Sequence, residues 1–505
     1  KLSQYDLVFT TYNIVSKELS FLSAKDKGDE PVKDASNLPL DSEQPLLLKI
    51  CWERIILDEA HSIKNHKSQT AMAICRLRAR ARWAVTGTPI QNNLVDMYSL
   101  LRFLRCSPFD EYKVWKRQVD NNSKSGTERL NVLVRSLLLR RTKDQKNSAT
   151  GKTLVALPDK HCHSHQIDLS PDERRVYDKL FGESRSKVQD YIRFHEEKDR
   201  GQGSGTTAKT PALFTGTGSA PAARGGATGG AVGVAVGGST KDQEHPQRMH
   251  ASHILVLLLR LRQCCGHLSL LKEAVDTESC EPEGIDLDLV GQMKEMTLDT
   301  EEEDRRRGGE RENGIASKPS IFNKLVPSTK IASVLSTLQE IRRSNPEGRP
   351  MKSVVVSQWT QMLDVMAAHL TEAGYRYWSI RGDIPPKKRG EALEDFNTNP
   401  LGREVMLVSL RAGGVWLNLI GGNHLFLLDM HWNPALEDQA CDRVYRVGQT
   451  NNVSIHKFVC KNTIEERILK LQKSKSKLAS DVLSGARSES QKLSLADLRF
   501  LFGVN

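Results

Sequence analysis

Asp58 and Glu59 stand side by side at the end of the apolar run Ile55-Ile56-Leu57, with Ala60 and His61 behind them. Such a run reads as a strand, and in an open parallel sheet ligands bind just beyond the carboxyl ends of the strands. Alternation along a strand sends neighbouring side chains in different directions, so the two carboxylates suit different tasks. One carboxylate can hold a Mg²⁺ ion directly or through its water shell, and the other can orient or deprotonate an attacking water. His61 is placed to pass on the state of the phosphates. An acidic first helical turn would put carboxylates here too, and D-E-x-H alone does not decide between the two.

Other groups along the chain could join that chemistry. Leu7 to Tyr12 reads as a short buried strand ending in the hydroxyls of Thr10 and Thr11, a kind of strand end that can touch phosphates. Trp83-Ala84-Val85 breaks into Thr86-Gly87-Thr88-Pro89, which sets two hydroxyls and a pliable backbone beside the Asp58 strand; a plain turn has the same composition. A helix is signposted by Asn433 as cap, Pro434 in the first turn and Gly448 past the end. Within it Gln439, Asp442, Arg443 and Arg446 share a face. Two arginines so spaced can reach one phosphate group, and a solvated basic face is the plainer alternative. Gly151-Lys152-Thr153 is not a phosphate loop: Lys146 holds the first glycine's place and no strand leads in.

The elements that must position these groups alternate. The segment Leu46 to Leu57 returns to the sheet, and Ser68 to Arg80, Val95 to Leu104 and Leu130 to Leu139 have helical spacing. Ser170-Pro171-Asp172-Glu173 starts a helix running towards His195. His253 to Leu271 is a strongly apolar helix. From Thr329 a helix reaches Arg343, then strand Ser353 to Ser357, helix Gln361 to Ala373, an apolar edge at Tyr375 to Ile380 and helix Lys387 to Phe396 follow. Strand Val405 to Val408, the glycine-bearing loop Ser409 to Asn418 and strand Leu425 to Leu428 complete the series. Alternating strands and helices mean an α/β fold with a parallel, doubly covered sheet.

At 505 residues the chain holds two or three domains, and its formal charge of +11 suggests a polyanionic partner, nucleic acid first. Nine cysteines occur without a CxxC pair. Cys264-Cys265 with His267, and the His161 to His165 run, lack the second half of a zinc site, so no zinc is expected. No apolar run has spanning length, so no membrane partner is expected. The Gly/Ala tract Gly201 to Ser239 cannot bury enough surface to order itself, and Glu273 to Lys318 reads as a charged linker.

In order, Leu57-Asp58-Glu59-Ala60-His61, Ala84 to Asn93, Ala412-Gly413-Gly414-Val415 and Asp438 to Gln449 resemble the motifs of the Swi/Snf-type branch of superfamily-two helicases. The first is similar to that family's Walker B box, the others to its third, fifth and sixth motifs. The helix carrying Arg262-Gln263-Cys264-Cys265-Gly266-His267 and the ending Lys492 to Gly503 resemble the family's transcription-termination branch. The resemblance implies two RecA-like parallel-sheet lobes with helical insertions, the first incomplete. The implied divisions are a first lobe at 1–105, a helical protrusion and linker at 106–200, the disordered insert at 201–250 and a second-lobe protrusion at 251–272. A charged linker at 273–328, the second lobe at 329–475 and a brace or tail at 476–505 follow.

It further implies a double-stranded-DNA-dependent ATPase using ATP and Mg²⁺, which displaces RNA polymerase II and its transcript from the template. The RNA polymerase II elongation complex is then a partner. The implied location is the nucleus, with the cytoplasm left open. Asp58, Glu59, Arg443 and Arg446 would be catalytic and Asp58 the metal ligand. Gly414, Gln439 and Asp442 would hold the nucleotide, while His61, Thr86, Gly87, Thr88 and Gln91 couple it to DNA. Thr10, Thr11, Asn92, Asn93, Gly413, Trp416 and Asn418 would face DNA. The family's phosphate-binding loop precedes its second motif, and the chain begins after that point, which implies weak ATP binding and little hydrolysis. Trp416 stands where the family has Gly, and an indole there is expected to hinder the backbone's approach to DNA. A DNA-binding or regulatory relative without a working motor is the alternative reading. A zinc-ring ubiquitin ligase is excluded, since the insert region from Gly201 to Lys318 adds only Cys280 to the Cys264-Cys265 pair.

Overall fold

The computed structural model describes residues 2–18, 45–87, 94–121, 123–143, 145–147, 149–201, 251–272, 321–344, 351–410, 417–431, 434–473 and 495–504. They fall into two compact units. One is built mainly from residues 1–156, the other from Leu157–His431, Leu436–Leu469 and Leu493–Asn505. The Gly/Ala tract after Gly201 and the 273–318 linker lie outside the described residues.

In the first unit, strands β1 (Cys51–Leu57) and β2 (Arg78–Ala84) pair in parallel, with Leu57 opposite Ala84. Helix α1 (Tyr12–Glu18) precedes them, and α2 (Gln69–Arg76) makes the crossover. Ser68 caps α2, its Oγ accepting from the Ala71 N–H at 3.2 Å. The helix was expected to reach Arg80 and stops at Arg76. Arg78-Ala79-Arg80-Ala81-Arg82 alternates with the period of a strand, and it becomes β2.

The expected strand at Leu7 to Tyr12 does not form. Residues 7–11 have no regular structure, and Leu7 and Phe9 are 68% and 88% exposed. Thr11 instead starts α1: its Oγ1 accepts from the Ile14 N–H and its carbonyl from the Val15 N–H. A strand needs a ladder partner, whereas a threonine can close a helix end locally. Leu46–Lys49 is likewise a single helical turn before β1, not part of the strand. Leu57, Ile63, Ile74, Leu100 and Phe103 share one core. A second forms where α3 (Leu94–Leu104), α4 (Tyr112–Gln118) and α5 (Lys124–Leu137) bring Met97, Leu101, Trp115 and Leu130 together.

The second unit is a six-stranded parallel sheet in the order β3-β8-β7-β4-β6-β5. Strands β4 (Ser353–Ser357) and β6 (Val405–Ser409) are buried at every residue, as expected of a sheet covered on both faces. β5 (Tyr377–Ile380) and β7 (His424–Leu427) match the expected apolar runs. Two strands were not expected. β3 (Lys160–Ile167) lies in the stretch read as protrusion and linker, and β8 (Val453–Cys460) follows the sixth motif. β3 is an edge strand, so its polar, exposed residues carry no apolar signal. Imidazoles join these strands: His165 Nε2 lies 3.0 Å from His456 Nδ1, and His456 Nε2 lies 3.1 Å from His424 Nδ1.

Helix α6 (Pro171–Gly201) begins with a reciprocal cap: the Ser170 N–H donates to Glu173 Oε2 at 2.9 Å and the Glu173 N–H to Ser170 Oγ at 3.3 Å. Helix α7 (Ala251–Gly266), read as a protrusion, is a core element, with Ile254 to Gly266 buried. Helices α8 (Thr329–Arg343), α9 (Thr360–Glu372) and α10 (Pro386–Thr398) are the crossovers of the sheet. Lys330 on α8 is fully buried with its Nζ 2.6 Å from Glu465 Oε1 and 3.0 Å from the Leu428 carbonyl. Helix α11 (Pro434–Val444) carries the candidate arginine, and α12 (Leu495–Phe502) closes the described chain.

Candidate active site

In the first unit the end of β1 is held from both sides. Val85 N–H donates to the Leu57 carbonyl at 2.8 Å and Ala60 N–H to the Val85 carbonyl at 2.9 Å. Tyr12, from α1, donates its hydroxyl proton to the Asp58 carbonyl at 2.8 Å. These bonds fix the backbone where β1 turns, and there Glu59 takes the left-handed conformation, φ 48° and ψ 48°. A non-glycine residue in that region is uncommon and clusters at functional sites. The turn separates the two carboxylates. Asp58 keeps one oxygen on the Glu59 N–H at 2.9 Å. Glu59 Oε2 lies 3.4 Å from His61 Nδ1.

His61 Nδ1 is also 3.3 Å from Thr86 Oγ1, so one ring nitrogen faces the carboxylate of one strand end and the hydroxyl of the other. Burial lowers the His61 pKa, and the nearby Glu59 only partly offsets this. The ring is therefore neutral near pH 7. Its Nδ1 either donates to Glu59 or accepts from Thr86. Burial raises the Tyr12 pKa, with the charges of Asp58 and Glu59 adding to it, which keeps its hydroxyl a donor. Asp58 is half-buried, and an aspartate oxygen at a strand end is the hard donor Mg²⁺ takes. The residues present fit that ion.

In the second unit α11 presents Gln439, Asp442 and Arg443 at three- and four-residue spacing, with Asp442 exposed and the other two half-buried. Arg446 is not on the helix. The helix ends at Val444, and the chain turns through Gly448 at φ +100°. The buried Gln449 produces this end. Its Nε2 donates to the carbonyls of Ile420, Gly422 and Val444, and its Oε1 accepts from the Thr450 and Asn451 N–H groups. At the helix start Glu437 is buried, accepting from the His431 N–H at 3.0 Å and pairing with Lys457 Nζ at 2.8 Å. Burial opposes the charge on Lys457, but Glu437 outweighs it and its pKa rises.

The Leu419 N–H donates to the Arg443 carbonyl at 3.0 Å, which ties α11 to the glycine-bearing loop's exit. Asn418 is exposed there, and Gly421 approaches the Phe396 carbonyl so closely that a Cβ would lie 2.4 Å from it. Buried Asp429 accepts from Ser357 Oγ at 2.6 Å and from the Gln358 N–H at 2.8 Å. Arg262 of α7 donates to the Met430 carbonyl at 3.1 Å. None of Tyr12, Glu437, Gln449, Asp429 or Lys457 was singled out from the sequence. Only the acidic first turn of α11 and the glutamine closing the sixth motif hinted at two of them.

Asp58, Glu59, His61 and Thr86 are thus brought together, with exposed Gly87 next to them. Thr10 and Thr11 are exposed before α1. Thr88, Gln91, Asn92, Asn93, Gly413, Gly414, Trp416 and the Asn433 cap lie outside the described residues. Cys265 Sγ, Cys460 Sγ and a Glu465 oxygen lie within 4.8 Å of one another, all buried. Glu465 is committed to Lys330 and to the Cys460 N–H at 2.9 Å, and burial raises the Cys265 pKa. That arrangement is a packed polar cluster of the core. Among the described residues no helix is long and apolar enough to cross a membrane.

Comparison with known proteins identifies the family. The SNF2-related domain matches residues 1–270 and the helicase conserved C-terminal domain residues 333–448. Transcription termination factor 2 of Drosophila melanogaster is 39% identical over all of this chain and 46% of its own length. The human helicase-like transcription factor is 30% identical over 98% of this chain and 48% of its own. The chain thus spans about half the length of these curated relatives. Among solved structures, the Sulfolobus solfataricus SWI2/SNF2 ATPase core in complex with dsDNA aligns over 99% of this chain and 78% of its own, at 22% identity and a TM-score of 0.38. With the SNF2-related domain covering more than half of its residues, the chain belongs to the SNF2-related family.

Proposed function

We propose that the chain is the motor region of a duplex-DNA-dependent ATPase. The whole protein would act in the nucleus to release RNA polymerase II and its transcript from the template. The observation that carries the reading is the arrangement at the β1 end, where His61 faces both Glu59 and Thr86. ATP is the substrate, and Mg²⁺ held by Asp58 would neutralise its phosphates. Glu59 orients and deprotonates the attacking water, and Arg443 and Arg446 act on the phosphates. Gln439, Asp442 and Gly414 bind the nucleotide. His61, Thr86, Gly87, Thr88 and Gln91 link its state to DNA. Thr10, Thr11, Asn92, Asn93, Gly413, Trp416 and Asn418 meet the duplex, mostly at phosphates, so binding weakens with salt.

The test is ATP turnover by the full-length protein with and without duplex DNA. Glu59→Gln is expected to keep ATP binding and lose about 10²–10⁴-fold in turnover. DNA-stimulated hydrolysis that survives this change would remove Glu59 from the mechanism. DNA binding with no turnover in the unaltered protein would favour the regulatory reading.

A further inference from the structure

The second unit has a cleft of about 310 Å³ at the end of its sheet opposite the glycine-bearing loop and α11. Ser353 and Val405 open β4 and β6 there, and Tyr375 and Arg376 precede β5. Nucleotide chemistry belongs to the carboxyl ends of such strands, so the proposed motor leaves this end unused.

Its lining combines two chemistries. Leu338, Ile341 and Leu401 supply apolar surface, and Leu401 is 84% exposed at the rim. Three cations, Arg342, Lys352 and Arg376, face one carboxylate, Glu404. Glu404 is already taken, accepting two bonds from Arg342 at 3.0 Å. Arg342 also lies over the Tyr375 ring at 4.2 Å from its centroid, a rigid wall. Arg376 donates only to the carbonyls of Leu401 and Gly402 and has no carboxylate within ion-pair reach among the described residues. Lys352 is buried, with its ammonium on the Phe396 and Asn399 carbonyls at 2.6 Å. Asp395 acts on the buried Lys352 and Glu404 on Arg342, so among the described residues Arg376 is the cation left over beside the apolar floor.

We propose that this cleft docks an extended acidic peptide of another protein, with a leucine-type side chain in the cleft and carboxylates on Arg376. The apolar floor favours a peptide over nucleic acid, whose sugar–phosphate backbone gains nothing from Leu338 and Ile341. The surplus charge favours an acidic peptide over an uncharged one. The site does not depend on the ATPase reading.

Binding is measured by fluorescence anisotropy with a labelled peptide of alternating Asp and Leu, titrated with the full chain. The control peptide alternates Asp and Ser. Saturable binding is expected for the first. Arg376→Glu and Leu401→Asp should each weaken it about tenfold or more, with unchanged thermal melts because both side chains are exposed. Equal binding of the Asp/Ser peptide would overturn the apolar anchor. Absence of saturable binding, or indifference to both variants, would overturn the site. Displacement of the peptide by duplex DNA that is equally sensitive to both variants would make the cleft a nucleic-acid surface and end the proposal.

Discussion

The two sheets are built by the same strand–helix–strand rule and are covered differently. In the first unit Ile56 and Trp83 are each 61% exposed, whereas β4 and β6 of the second unit expose no residue. Accordingly, the groups at their ends are positioned by different means. Asp58 and Glu59 are fixed by short-range backbone bonds around one turn and by the Tyr12 hydroxyl. Arg443 is fixed by buried polar side chains, Glu437 at the helix start and Gln449 past its end. A side chain at a strand end can thus be placed without a thick core beneath it, provided its backbone partners are satisfied.

The comparison can be broken most severely at Lys330. Lys330→Ala leaves Glu465 buried without its cation, which typically costs about 3–5 kcal/mol. Denaturant unfolding should show that loss in the second unit, with hydrogen exchange at β1 and β2 unchanged. Equal protection of β4 and β8 in the variant would show that the pair is no support. Next comes Leu407→Ala in β6, a fully buried site, expected to cost about 2–5 kcal/mol.

Acid gives a smaller, graded effect. Burial lowers the His456 pKa to about 3 and that of His424 to about 4, with neighbouring imidazoles adding to both. The folded state therefore prefers them neutral. Their contribution is fully present above about pH 6.5 and is lost as the pH falls towards those values. Between pH 7 and pH 5 the loss should be about 1–2 kcal/mol per imidazole. Faster exchange of β3 and β8 amides relative to β1, after correction for intrinsic rates, would register it. The smallest effect sharpens the contrast: Ile56→Ala should shift stability by no more than about 0.5 kcal/mol. A larger loss in thermal melts would mean that the exposed face of β1 is covered in solution.

The sequence was legible where burial wrote a pattern into it. β4 and β6 carry the unbroken apolar runs Val354 to Val356 and Val405 to Val408 because both faces are covered, and Asp58-Glu59 stood out because charge follows such a run. β3 was invisible because an edge strand needs no apolar alternation. Residues 7–11 misled in the opposite direction, since an apolar run reads as a strand whether or not a ladder partner exists. Arg446 was placed one turn too far inside a helix, because Gln449, five residues beyond Val444, fixes the end through contacts that spacing does not reveal. The Cys265–Cys460 contact joins residues 195 apart and could come only from the fold.

β3 and α6 reach the second unit before the region 202–250, and all its other strands come after it. β3 pairs with β8 along eight residues, and Arg174 of α6 bonds the carbonyls of Lys461 and Asn462. A chain severed in that region would therefore be two polypeptides sharing one sheet. The fragment bearing Asp58 would stay attached to the fragment bearing Arg443 by the β3–β8 ladder and by side chains of α6. Its halves expressed separately should therefore reassemble through that edge strand and α6.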